Sequence, residues 1–265
     1  MRSFSRREFL SAGGAVVASH WATGALPCQA AAWIDNRSYG PFQCRATFSL
    51  ANFAPMFQEL SAVEKELQRT LAIPPGGQSI DIYIVENEQK HRELLGQLYP
   101  RVAYRRALYV QRSGQGSVYA YRHQELDVDL RHECTHALLH STLPMVPLWL
   151  DEGLAEYFEM PVAQRAFEHP HLSKVRWSNR FGMLRKIEDL EKCHTLEDMG
   201  PVEYRSAWAW VHYMLHGPLP AHRALVHYLG DIRQGNPPGL LSERLLAAAE
   251  HPKAEMAQHF KRWHR

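Results

Sequence analysis

Cysteine is scarce in this chain of 265 residues, four in all, and no segment repeats or falls into low complexity. A disulfide scaffold is therefore excluded, and a closed structural zinc site, which draws mainly on thiolates, is disfavoured. Charge of one sign is also lacking. The net charge is +2. Setting aside the first 32 residues removes Arg2, Arg6, Arg7 and Glu8, so Lys+Arg falls from 30 to 27 and Asp+Glu from 28 to 27. A neutral remainder gives no overall field for nucleic acid or for an anionic surface. After that leader no run is long and apolar enough to span a bilayer. The roughly 233 residues that follow it suffice for one compact unit or two lobes sharing a cleft.

Against these absences stands a dense histidine and acid motif. Arg131-His132-Glu133-Cys134-Thr135-His136 is followed, sixteen residues after His136, by Glu152 within Trp149-Leu150-Asp151-Glu152-Gly153-Leu154-Ala155-Glu156-Tyr157-Phe158-Glu159. Histidines at i and i+4 share one helix face and can reach one ion, with the glutamate between them pointing beside it. With 16 histidines in the chain, chance alone would give the first half in roughly 7% of shuffled sequences, so the second half decides. Pro147 can open a helix on which Glu152 and Glu156 fall one turn apart among Leu150, Leu154, Tyr157 and Phe158. Two acids on an otherwise apolar face need partners, and a metal ion with a metal-bound histidine would supply them. Three protein ligands with an open fourth position is the catalytic pattern for zinc. His140 continues the i, i+4, i+8 series but lies about 12 Å along the axis from His132, so it reads as packed or as a brace for a ligand. Glu159 is the acid that would replace Glu152 under a shifted register.

His132-Glu133-x-x-His136 with Glu152-x-x-x-Glu156 resembles the gluzincin clan of metallopeptidases, and the string from Leu130 to Glu159, with Leu143-Pro144 and Pro147-Leu148-Trp149-Leu150, resembles bacterial proteins described as peptidase-MA-like. The resemblance is specific over 127–159 and weaker to about Leu215; the gap between His136 and Glu152 is short for the clan. It implies that His132, His136 and Glu152 hold one Zn2+, that Glu133 is the general base, and that Glu156 accepts the free N–H of His132. It also implies a tyrosine or histidine from a later helix as donor to the oxyanion. Tyr204 is the first choice and His212 the second, while Trp208 and Trp210 read as core.

Along the chain, 42–50 alternates like a strand and 54–71 has helical periodicity, ending before Pro74-Pro75-Gly76-Gly77. Residues 80–85 read as a strand and 90–98 as a helix. The runs 107–111 and 117–121, joined by 112–116, read as a hairpin leading to the motif helix; helices follow, 204–216 the clearest. The expected architecture is α+β and zincin-like: a small mixed sheet with helices, then the active-site helix, then a mainly helical C-terminal half. The expected divisions are a leader over 1–32, an α+β lobe over 33–126 and a helical metal-binding lobe over 127–265. In such folds an edge strand before the zinc helix pairs with extended substrate. The strand 117–121 is the candidate, with an internal strand as the other reading.

The amino terminus carries Ser5-Arg6-Arg7-Glu8-Phe9-Leu10, the form of a twin-arginine export motif, before an uncharged, weakly apolar run over 9–27 and small residues at Ala30-Ala31-Ala32. An ordinary secretory signal or an uncleaved anchor are the other readings. Leu26-Pro27-Cys28 does not suit a lipoprotein, because proline stands where a small residue is expected. With Cys28 in the leader and Cys134 in the motif helix, Cys44 and Cys193 could pair or stay free. The function expected is zinc-dependent peptide hydrolysis by an exported, periplasmic or envelope protein acting on peptide or protein substrate, with the twin-arginine machinery as a partner. The alternatives are a zinc-binding interaction module without turnover and a metalloamidase acting on cell-wall peptides.

Overall fold

A computed structural model describes residues 33–264. The leader, with Arg6, Arg7 and Cys28, lies outside the described residues. Five strands, β1 Asp35–Tyr39, β2 Phe42–Ala46, β3 Ile80–Val85, β4 Ala107–Arg112 and β5 Gln115–Tyr121, form one mixed sheet in the order β1-β2-β3-β5-β4. β2, β3 and β5 are parallel; β1 and β4 are antiparallel to their neighbours at the two edges. The β4–β5 turn places Ser113 at φ 49 and Gly114 at φ 84, the two positive dihedrals that let a two-residue turn match the twist of a hairpin.

The parallel pairs require crossovers, and helices supply them. α1 Ala54–Leu71 links β2 to β3 and buries Phe57, Leu60, Val63, Leu67 and Leu71 at helical spacing. It stops where Ala72 turns left-handed before the two prolines. α2 Glu88–Leu98 is capped by Asn87, whose side chain accepts the Lys90 N–H at 3.0 Å. α2 covers the opposite face of the sheet with a small cluster of Val85, Leu94, Leu95, Leu108, Tyr119 and Tyr121. α3 Leu126–His140 begins with Asp127 and Asp129 at its positive end, packs across the α1 side of the sheet and runs beneath α4 Leu148–Phe158.

The helical half follows: α5 Val162–Arg165, α6 Pro170–Arg180, α7 Ile187–Leu190, α8 Pro201–His216, α9 Leu219–Gln234, α10 Leu241–Ala248 and α11 Pro252–Arg262. The architecture is α+β, with a mixed sheet first and helices after it. One continuous core joins Phe42, Ile82 and Val118 of the sheet to Leu139 and Leu154 of the motif helices and on to Trp208, Leu229 and Phe260. α4 and α8 approach so closely that a Cβ on Gly153 would stand 2.9 Å from the Ala207 carbonyl oxygen and 3.0 Å from Val211 Cγ2. Among the described residues no helix is long and apolar enough to cross a membrane.

One expectation is corrected here and one open reading is decided. The strand 117–121 is internal, between β3 and β4, and the edge facing the motif helix is β4. Cys44 and Cys193 are free, as is Cys134. Cys44 sits on the buried side of β2, where burial pushes its thiol up to about 12, whereas Cys193 is half-buried and hydrogen-bonded to the carbonyls of Asp189 and Asp198. β1 was not expected at all. Its sequence, Asp-Asn-Arg-Ser-Tyr, is polar because the strand is an edge, and Arg37 and Asp35 pair along it at 3.1 Å.

Candidate metal centre

α3 is buried on nearly every side, which places charged groups in the interior and forces each to find a partner. The N–H of Tyr109 on β4 donates to Glu133 Oε2 at 2.9 Å, and Gln111 of the same strand reaches the His140 carbonyl at 3.3 Å. Arg131, 2% exposed, donates to the Glu159 carbonyl at 2.5 Å and to Asp127 at 2.6 Å, so the C-terminal end of α4 is latched to α3. The rings of His132 and His136 lie 4.9 Å apart, edge to face.

Opposite them α4 presents Glu152. Its Oε2 is 3.5 Å from His132 Nε2 and its Oε1 is 4.0 Å from His136 Nε2. All three residues are less than a tenth exposed. Burial raises the Glu152 pKa, but the imidazoles of His132 and His136 overcome it, and the net shift is downward. Ligands held about 2.0–2.1 Å from a tetrahedral ion stand roughly 3.3–3.4 Å from one another, so these donors have the spacing of a site with room for one ion. Two neighbouring groups, His136 with His140 and Asp151, and His132 with Glu156 and Glu159, are also close enough to be considered. In each a nitrogen and an oxygen already touch at 2.9–3.0 Å, which leaves no such room. His132, His136 and Glu152 can therefore hold a metal ion.

The nitrogens turned away from Glu152 are braced by carboxylates. His132 Nδ1 meets Glu159 Oε2 at 3.0 Å. The resemblance assigned that role to Glu156, but Glu156 Oε2 accepts instead from His171 Nε2 at 2.7 Å, a contact brought in by α6. His136 Nδ1 stands 2.9 Å from Asp151 Oδ2, close in distance though not aligned as a hydrogen bond. The same oxygen takes His140 Nε2 at 3.0 Å. Burial alone would lower the His136 pKa, yet Asp151 beside it carries the net shift upward; Asp151 is correspondingly held below the usual carboxylate range. Asp151 was missed in the sequence, where it read only as the neighbour of Glu152; the available signal was that i, i+4, i+8 histidines give His140 a partner near α4. The ring of Tyr109 lies nearly parallel to those of His136 and His140, 6.4 and 5.9 Å away.

Of the two donors expected from α8, Tyr204 is 4% exposed in its first turn. His212 is committed elsewhere: Nδ1 faces His259 Nε2 at 3.0 Å and Nε2 meets the Ala166 carbonyl at 3.1 Å, so it does not serve the metal centre. No family model and no curated protein matches the chain.

Proposed function

We propose that the chain is an exported, zinc-dependent peptidase of gluzincin type. The observation that carries the reading is the convergence of His132, His136 and Glu152 around space for one ion, with Glu133 held beside it by the main chain of an edge strand. Two imidazoles and one carboxylate are the donor set of catalytic zinc. Zinc bound there supplies Lewis acidity, polarising a carbonyl and acidifying water.

The chain's own groups divide the remaining work. Glu133 takes the proton of the attacking water and returns it to the leaving amine. The Tyr109 N–H, donating to Oε2, orients this carboxylate. Asp151 and Glu159 fix the orientation of the two imidazoles and keep the nitrogens facing Glu152 free of protons. The outward main-chain groups of β4 alternate, so those of Ala107 and Gln111 point the same way as the Tyr109 N–H and offer an extended peptide backbone a place to pair. Tyr204 is the donor assigned to the tetrahedral oxyanion, and a Tyr204→Phe variant that keeps kcat removes it from that role.

Elemental analysis should give one zinc per chain, lost in His136→Ala and Glu152→Ala. A peptide-library digest run with and without chelator should show cleavage only in the metal-loaded protein. Tight zinc with no cleavage of any peptide would favour the interaction module, and altered peptidoglycan fragments with untouched peptides would favour the amidase. Export is tested separately: Arg6→Lys with Arg7→Lys keeps the charge and should strand the precursor in the cytoplasm, whereas normal export would point to the general secretory route.

A further inference from the structure

Between Glu168 and Glu188 lie nineteen residues without a carboxylate and with five cations, Lys174, Arg176, Arg180, Arg185 and Lys186. In a chain of net charge +2 this is the local departure that the overall balance conceals. α6 and the turn after it carry the stretch. The helix buries His171, Leu172, Val175 and Ser178, and Arg205 fixes Ser178 from α8 at 2.7 Å. Its other face leaves Trp177 57% exposed, with Phe181 at 58% and Met183 at 40% immediately beyond. The two rings lie 5.0 Å apart. Gly182, at φ +66, closes the helix end, and the N–H groups of Gly182 and Met183 return to the carbonyls of Asn179 and Ser178 at 3.2 and 2.8 Å. The apolar tip is therefore set on hydrogen-bonded backbone.

The cations around it divide in two. Arg176 donates to the Trp263 carbonyl, and Arg185 pairs with Glu203 at 2.8 Å. Lys174, Arg180 and Lys186 are exposed and enter no ion pair among the described residues. Three large apolar side chains in water, ringed by unpaired cations and bounded by Glu188, present two complementary demands: a low-dielectric layer for the rings and anions at its rim. A bilayer with anionic headgroups meets both, with aromatic rings at headgroup depth and lysine and arginine at the phosphates. A protein partner fits less well, because interface cores are depleted of lysine and three residues fall far short of a stable interface.

We infer that the C-terminal end of α6 and the turn after it form a peripheral docking surface for anionic phospholipid membranes. The surface does not depend on the hydrolytic reading, but the two are joined by one element. The first turn of α6 touches Glu156 through His171, and eleven residues of helix span roughly 16 Å, so docking would hold the candidate metal centre about that far from the lipid.

The test is cosedimentation of the full chain with vesicles of phosphatidylcholine alone and of phosphatidylcholine mixed with phosphatidylglycerol. Binding to the mixed vesicles alone is expected, weakening as salt rises. Lys174→Glu, Arg180→Glu and Lys186→Glu should each reduce the partition by about fivefold or more, and Trp177→Ala with Phe181→Ala by at least about tenfold. Zinc content and circular dichroism should not change in these surface variants, which separates lost docking from lost folding. Brominated lipid should quench the emission of wild type but not that of the Trp177 variant. Absence of binding, equal binding to both vesicles, or wild-type binding by the variants overturns the inference. A concentration-dependent dimer in light scattering that the same variants abolish would assign the patch to a second copy of the chain, and salt-sensitive binding to duplex DNA without vesicle binding would assign it to nucleic acid.

Discussion

Two groups of histidines in this molecule face opposite environments. His132, His136 and His140 meet carboxylates, Glu159 for the first and Asp151 for the other two. His212, His216 and His259 meet one another, the Ala166 carbonyl and the Tyr157 hydroxyl, among Trp208, Phe260 and Trp263. Burial is common to both groups, so burial does not distinguish them. Counter-charge does. A carboxylate behind an imidazole offsets its desolvation and raises its basicity as a ligand, whereas a carbonyl or a second imidazole leaves it neutral and inert.

The largest expected effect breaks the first group at its chemistry while leaving its ligands alone. Glu133→Gln removes the base and keeps a side chain able to accept from the Tyr109 N–H. Zinc should remain at one per chain while kcat for peptide hydrolysis falls by about 10²–10⁴-fold, the contribution of a positioned base. An unchanged rate rules out Glu133 as the base. Zinc loss would instead show that the carboxylate shapes the site.

The next tests compare the braces. Glu159→Gln and Asp151→Asn take the charge from behind His132 and His136 and should each weaken zinc affinity by about 10–100-fold, measured by competition with a chromogenic chelator. Glu156→Gln should cost less, because its carboxylate faces His171 at 2.7 Å. If Glu156→Gln proves the more damaging, the brace of His132 belongs to Glu156 as the resemblance had it.

Gly153 lies where α4, which carries Glu152, packs against α8, which carries His212 and His216. A methyl there would collide with the Ala207 carbonyl and with Val211, neither of which is the free end of a flexible chain. Gly153→Ala should destabilise the fold by about 1–3 kcal/mol in urea unfolding. It should also lower zinc affinity, because α4 must move and Glu152 moves with it. Lost stability with unchanged affinity would mean that α8 yields and α4 does not.

Much of this was legible because the signals were local. α1 and β3 have the bounds that periodicity and alternation gave, 54–71 and 80–85, since each has one buried face. That His132 and His136 share a helix face was legible for the same reason, because spacing fixes it, whereas Glu152 as their partner from the next helix was implied by the resemblance. What spacing could not decide was which acid braces His132. Glu152, Glu156 and Glu159 follow at i, i+4 and i+7, all on one face, and the choice is made by His171, which arrives from another helix. Nor could it identify the edge strand. β4 and β5 are both apolar at their centres, and only the exposed Gln111 and Arg112 at the end of β4 mark it as the edge.

The smallest expected effect lies in the second group and depends on pH. Burial holds His216 down to about 4. Burial, then His216, does the same for His259, also to about 4, and His212 is pushed well below its ordinary value by burial and then by His216. The ordinary value is 6.5, so between about 4 and 6.5 the unfolded chain binds protons on these residues that the folded chain does not. Stability then rises with pH through that window: it is fully present above about 6.5 and is lost progressively as the pH falls toward 4. Melting temperature against pH should show this decline in the wild type, and His259→Gln, which removes one titrating ring, should flatten it slightly. The comparison between the two groups sets the control. A decline that appears only when zinc is bound would trace to His132 and His136, which bind metal only when deprotonated; a decline already present in the metal-free protein belongs to the inert group.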